Sequence, residues 1–421
     1  MNRRQSLKNL GIVLSTLPFI STESLGFHYD DKNIKGLIED EAYWQKFAQK
    51  NYTVSDEFIN LENGYFGVQP IIVLEAYQKN VTLVNQHSSK FMRQEFYQTH
   101  YPLIKQTLAT LSGASEEELL VTRNATEALN ILIQGIQLNK GDEVILQRHD
   151  YHSMIETFQM LEKEKGIVLK FVDVPLVPKS CEEIIALYEA AISARTKCIL
   201  LTHLTHLTGQ IMPVNEISKI AKSKGIDVIV DAAHSFAQID YKLPDLYADF
   251  IGVNLHKWFG NPLGAGLLYV RKDRIKDLKP LYGDHKKAET DINKLGHLGT
   301  PATPILMTIP AAASFNSKLT NSKKENRLRY LKNYWTSRAK KIDRVMITTP
   351  MDKEQSCALA SFKMDGVHAK DIVKQLDENF NVFTVIRKLY NDTVIRVTPN
   401  LYNSTKDLDR LLEGLTAISK A

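Results

Sequence analysis

Asp231 and Lys257 are the residues whose types and settings point most directly to chemistry. The apolar run 228–230 ends in Asp231, followed by the small residues Ala232 and Ala233 and then His234. A second apolar run, 250–253, ends in Asn254, His256 and Lys257. Both runs are short, β-branched and bounded by polar residues, as buried strands of a parallel sheet are. In such sheets ligands collect at the carboxyl ends of the strands, where both polar clusters fall. A carboxylate and a lysine delivered to one sheet edge suit pyridoxal phosphate: the amine forms an imine with its aldehyde, and the carboxylate pairs with the pyridinium nitrogen. Burial at a strand end lowers a lysine's pKa and makes it a better nucleophile. Taken singly, Lys257 also reads as a surface lysine in a turn, and Asp231 as a loop residue or helix cap. Only the pair carries the reading.

The elements that must position this pair follow a regular rhythm. Strands at 143–147, 168–172, 198–202 and 228–231 alternate with helices at 153–165, 181–194 and 214–224, which predicts an α/β fold with a doubly wound, mostly parallel sheet. Upstream, residues 118–130 read as a strand, a polar turn and a helix start that Asn124 or Thr126 can cap. Such a helix N-terminus is a natural seat for phosphate. Residues 28–57 are expected to form an arm with a helix around 39–51, and 58–67 a short strand running into the Asn63-Gly64 turn. Helical periodicity follows at 71–84 and 96–112. The stretch 279–303, rich in Gly, Pro, His and Lys, reads as a long functional loop. Helices at 304–318 and 324–340 then lead to shorter strands and helices at 358–364, 368–376, 382–386, 393–397 and 406–419. The expectation is a large domain over 58–319 and a smaller α+β domain over 320–421.

Composition sets outer bounds. With 421 residues, 43% hydrophobic and 24% charged, the chain is an ordinary globular one with room for a large core. Its net charge is +5, and residues 1–27 hold three basic residues against one acidic, which leaves +3 for the remainder. That is too little to argue for nucleic acid. The pattern NRRQSLK, with Arg3 and Arg4, precedes an interrupted apolar stretch at 10–20 that is too short to span a bilayer. It resembles a twin-arginine export signal with Ser6 where phenylalanine is preferred, so a periplasmic or exported location is expected, with a cytoplasmic one as the alternative. The three cysteines, Cys181, Cys198 and Cys357, have neither metal nor CxxC spacing. Gly260, Gly264 and Gly266 make no GxGxxG or P-loop. His203 and His206, three apart on one strand, point to opposite faces, a poor arrangement for a shared metal.

Several short motifs now fall into one order: Asn124-Ala-Thr126, Tyr151, Asp231-Ala-Ala-His234, Asn254-Leu-His-Lys257, Gly299-Thr300 and Arg396-Val-Thr-Pro-Asn-Leu-Tyr-Asn. This order resembles the class V aminotransferase group of fold-type I pyridoxal-phosphate enzymes, most of all its isopenicillin N epimerase-like branch, over residues 58 to the C-terminus. The resemblance implies that Ala125 and Thr126 hold the cofactor phosphate, joined by Asn254 and His256. It implies that Tyr151 stacks on the ring, that His234 and His206 approach its phenolic oxygen, and that Thr300 reaches the phosphate of a neighbouring subunit in a homodimer with shared active sites. Arg396 matches the arginine that grips a substrate α-carboxylate in a bidentate pair. Arg387 is open between a second substrate carboxylate and a domain interface, Arg93 is a weaker candidate of the same kind, and Asn63 lies in a turn where specificity is sought. Cysteine desulfurases of the group carry a nucleophilic cysteine shortly before that arginine, whereas residues 381–396 contain none. The resemblance therefore implies an amino-acid substrate handled at Cα, by transamination or epimerisation, with β-elimination or a non-catalytic binding protein as the alternatives.

Overall fold

A computed structural model describes residues 34–421 apart from 284, 285 and 298. The expected export segment, and the start of the expected arm, lie outside the described residues. Residues 1–39 form one unit, of which the helix Ile34–Glu39 is described, and residues 40–421 form a second. All that follows concerns the second unit.

After the two-residue strand β1 (Ile59–Asn60), the chain builds its main sheet from β2 (Leu119–Thr122), β3 (Glu143–Gln147), β4 (Val168–Val172), β5 (Thr196–Thr202), β6 (Asp227–Asp231), β7 (Phe250–Asn254) and β8 (Gly266–Val270). Their order is β2-β8-β7-β6-β5-β3-β4. Strands β3 to β7 pair in parallel, while β8 runs antiparallel to both β7 and β2. Residues of β3 and β7 are buried throughout, which is why these strands read as unbroken apolar runs rather than alternating ones. One face is sealed by the helices Ala125–Gly135 and His152–Lys165, whose Leu129, Leu132, Met154 and Phe158 share a core with Leu146, Leu200 and Ile229 of the sheet.

Strands β9 (Val345–Ile347), β10 (Ala360–Met364), β12 (Val385–Lys388) and β13 (Thr393–Val397) form a smaller antiparallel sheet in the order β12-β13-β10-β9, with β11 (Val382–Phe383) between helix Ala369–Phe380 and β12. Its own core gathers Trp335, Phe362, Leu376, Ile395 and Leu411. Leu61 belongs to this core, and β1 pairs in parallel with β11, so residues 59–62 cross from the amino-terminal part into the carboxy-terminal one. This crossing positions the site, because it brings residues 62–67 beside β13. The arm is not loose either: Trp44, on helix Glu41–Asn51, is buried and Glu41 pairs with Arg327.

The helices expected at 71–84 and 96–112 are one longer path. Helix Ile71–Phe91 kinks at Ser88 and continues through a π-wound segment, Met92–His100, into Tyr101–Ser112. No proline interrupts the path before Pro102, which sits where a helical turn tolerates it. Among the described residues no helix is long and apolar enough to cross a membrane.

Candidate active site

Parallel pairing sets the centre of the site. Thr202 of β5 lies beside Asp231 of β6, and Asp231 beside Gly252 of β7, so the carboxyl ends of three strands open at one level. Beyond β7 the chain turns at Lys257, whose amine returns into a cavity of about 160 Å³ lined by Tyr65, Ala125, Thr126, Tyr151, His206, Asp231, His234, Asn254 and His256 among others. Lys257 is 7% exposed, and its Nζ lies 2.9 Å from Nε2 of His234. Burial pulls its ammonium down to about 7; Asp231 opposes that shift, and Arg396 and Arg387 add to it. Burial likewise raises the Asp231 carboxyl, against the Ala233 N–H it accepts at 2.9 Å and the charge of Lys257. Both His206 and His234 are held neutral by burial and the surrounding cations, and the Nδ1 of each is buried without a partner among the described residues. A buried nucleophilic amine, a buried carboxylate and two orphaned ring nitrogens around one small cavity fit a polar, ring-shaped cofactor with an aldehyde.

The phosphate end is built by a close approach. Gly266 of β8 lets the turn before helix Ala125–Gly135 lie against the sheet: a Cβ there would fall 2.5 Å from the Asn124 Cα. Asn124 caps the helix by accepting the Glu127 N–H at 2.9 Å. Asn254 Oδ1 accepts the Ala125 N–H at 2.7 Å, so Asn254 fastens the helix start and occupies one of the donors expected for phosphate. Thr126 lines the cavity beside it, and His256 is oriented by the Ala265 carbonyl at 3.2 Å from its Nδ1. Tyr151 meets His206 edge to face with ring centroids 5.5 Å apart.

The two arginines are placed differently from the expectation. Arg396 is fully buried, and the Nε/NH2 edge that a substrate carboxylate would use is taken by Glu62: Nε donates to Oε2 at 3.3 Å and NH2 donates to Oε1. Its NH1 donates to the His206 carbonyl at 2.6 Å. Arg387 donates from NH2 to the same Oε1 of Glu62 at 3.1 Å. Tyr65 stands between these guanidiniums and the cavity, with Arg387, Arg396 and the Lys257 amine 4.5, 4.9 and 4.9 Å from its ring centroid. Neither arginine lines the cavity.

Asn63 also departs from its expected place. Its amide donates to the Thr398 carbonyl at 2.9 Å and accepts from Tyr402 at 2.5 Å, so it ties the turn to the segment after β13 and does not face the cavity. The neighbouring Glu62 and Tyr65 hold the positions sought there. An acidic residue directly after the stretch FINL and before the Asn63-Gly64 turn is a signal that could mark Glu62 as a candidate, without its arginine partners. Asp150 was missed as well: it accepts from the Thr202 hydroxyl at 2.6 Å behind Asp231, and burial raises it to about 7. Thr300 is exposed and does not line this chain's cavity, and Arg93 is exposed on the π-wound segment. Cys198 and Cys357 are buried, Cys181 is half-buried, and none lines the cavity. A larger cleft of about 790 Å³, between helix Glu41–Asn51 and residues 402–407, has no lysine facing a carboxylate at a strand end.

The sequence profile of the family described as Aminotransferase class-V matches residues 68–411. The chain belongs to that family. Its fold is that of the fold-type I pyridoxal-phosphate enzymes, and its cofactor is pyridoxal 5′-phosphate. Among relatives, an isopenicillin N epimerase from Streptomyces clavuligerus is 26% identical over 75% of this chain and 83% of its own length. A probable cysteine desulfurase 2 from Mycobacterium leprae (strain TN) is 26% identical over 84% of this chain and 90% of its own. Among solved structures, a C-DES mutant with glycine covalently linked to its pyridoxal-phosphate cofactor matches with a TM-score of 0.77 at 21% identity, covering 86% of this chain and 97% of that one.

Proposed function

We propose that this class V enzyme moves the Cα proton of an amino acid, with epimerisation or transamination as the outcome. The observation that carries the reading is the buried Lys257 amine, 2.9 Å from His234 and in one cavity with Asp231, with no cysteine among the described residues that line it. When bound, the cofactor supplies an electron sink for the negative charge that develops at Cα. Lys257 would hold the cofactor's aldehyde end, and its buried, neutral amine is the group able to take a proton near pH 7. His234 orients that amine. Asp231, buried and aimed at the cavity, is the group to hold a protonated ring nitrogen. Thr126 and His256 would hold the phosphate, with Asn254 securing the helix start through the Ala125 N–H, and Tyr151 would cover the ring. Tyr65 excludes water from Lys257. Arg396 and Arg387 are the cations available for a substrate carboxylate, and a second subunit is the source of Thr300 at the phosphate.

The epimerase name of one relative supports proton return to Cα, while the desulfurase name of another favours a lyase. Against the desulfurase route, which needs a nucleophilic thiol, stands the absence of a cysteine among the described residues that line the site, and burial pushes the Cys357 thiol up to about 12; elimination without a protein thiol is the second reading. The test is incubation with a panel of amino acids in deuterated water, scored for Cα exchange, inverted product, keto acid, ammonia and sulfide. Exchange with inversion or keto acid is expected. Sulfide release from cysteine, or ammonia without exchange into recovered substrate, would overturn the proposal. The Arg3-Arg4 pattern further supports export, and retention of the Arg3→Lys, Arg4→Lys variant in the cytoplasm is expected on cell fractionation; an unchanged location would count against it.

A further inference from the structure

We propose that Glu62 is an internal carboxylate ligand of the Arg396/Arg387 pair, one that an incoming carboxylate must displace, so that Glu62 sets the affinity of the site for its substrate. The inference rests on the reading that these arginines serve a substrate carboxylate. Glu62 reaches Arg396 through both of its oxygens and Arg387 through Oε1, the fork-to-fork and bridging contacts that an amino-acid carboxylate would itself make. The place is crowded to the point of exclusion. Gly64 lies so near that a Cβ would stand 3.0 Å from the Arg396 guanidinium carbon, and Tyr65 closes the side toward Lys257. Arg396 retains no exposure and Glu62 is 6% exposed, so water cannot substitute for either partner. Arg387 is the less enclosed of the pair, with a side chain 24% exposed, and its Nε is a buried donor without a partner among the described residues. A carboxylate arriving through Arg387 therefore meets one unfilled donor and one occupied fork. Glu62 and Tyr65 belong to one short segment, residues 62–65, which Asn63 and Gly64 fasten to Thr398.

The experiment uses the cofactor-loaded protein and propionate, a carboxylate without an amine, with propionamide as its uncharged counterpart. Binding is read as the ligand-dependent shift in thermal midpoint. Wild type is expected to bind propionate weakly. Glu62→Gln keeps the shape but removes the competing charge, and should bind propionate about tenfold more tightly, with propionamide unaffected. Glu62→Asp retains the charge on a shorter reach and should fall between the two; it also keeps the test open where Glu62→Gln leaves Arg396 too poorly compensated to fold. Adding Arg396→Lys to Glu62→Gln should remove the gain. Equal propionate affinity in wild type, Glu62→Asp and folded Glu62→Gln would overturn the proposal, as would a gain that survives Arg396→Lys. Propionate binding needs no turnover, so loss of Cα exchange would count against the reaction proposed above and leave this result standing.

Discussion

At the scale of single residues, three cations surround one tyrosine. Lys257, Arg387 and Arg396 all lie within 5 Å of the Tyr65 ring centroid, and like charges this close would otherwise push the lysine further toward neutrality. An aromatic face stabilises an ammonium by about 0.5–2 kcal/mol, so the ring favours the charged form of Lys257. Tyr65→Leu, which keeps bulk but loses the ring, should lower the pH midpoint for reaction of Lys257 with added cofactor by roughly 0.4 to 1.5 units. Tyr65→Phe should leave it in place. A midpoint unmoved by Tyr65→Leu would mean that the ring acts only as a lid. Asp231 and Lys257 are legible in the sequence because Asp231 ends a buried strand and Lys257 lies just beyond the end of the next, where a parallel sheet faces its ligands. Glu62 and Tyr65 are not, because their role depends on β1 pairing with β11 across more than 300 residues, and no local pattern encodes that pairing.

Among the elements, helix Ala125–Gly135 has its start fixed on two sides. It is held from one side by Asn254 and pressed against Gly266 from the other. Gly266→Ala would drive a methyl into the backbone of Asn124, and overpacking of this kind costs about 1–3 kcal/mol. The urea midpoint should fall accordingly, and affinity for pyridoxal phosphate should fall with it, because the helix start moves away from Thr126's place in the cavity. Lower stability with unchanged cofactor affinity would show that the phosphate does not use this helix. The alternation of strands and helices from 143 to 231 was read almost residue for residue, since buried parallel strands are continuous apolar runs. The long path from Ile71 to Ser112 was divided wrongly, because a π-wound segment breaks the 3.6-residue periodicity without breaking the helix.

For the molecule as a whole, burying lysines has a consequence for stability. Burial lowers Lys324 to about 7 and Lys332 to about 8. Lys324 donates to the Trp258 carbonyl and Lys332 to the Ser356 hydroxyl, neither of which carries charge. Between pH 7 and roughly 8.5 the unfolded chain keeps these lysines protonated while the folded chain releases them; unfolded thiols, which ionise near 8.5, offset part of this at the upper edge. The unfolded state then binds more protons, so stability rises with pH across this window. Burial holds the histidines below their ordinary range, so they add to the rise only at its lower edge, while Asp150, half-ionised near 7 in the folded protein, offsets part of it there. The urea midpoint should therefore increase from pH 7 to 8.5, and Lys332→Met should flatten part of that rise. A midpoint that falls over this range would show that both lysines remain charged in the folded protein.

On the proposed function, burial makes Lys257 the amine that would hold the cofactor and move the proton. The most direct test is to remove the cofactor, add pyridoxal phosphate across a pH series, follow the growth of the bound chromophore, and then reduce with borohydride and map the labelled peptide. The rate should rise through about pH 7 and level off above it, with the label on Lys257 and none in Lys257→Ala. Label on another lysine, or a rate still climbing toward the ordinary lysine range near pH 10, would contradict the account.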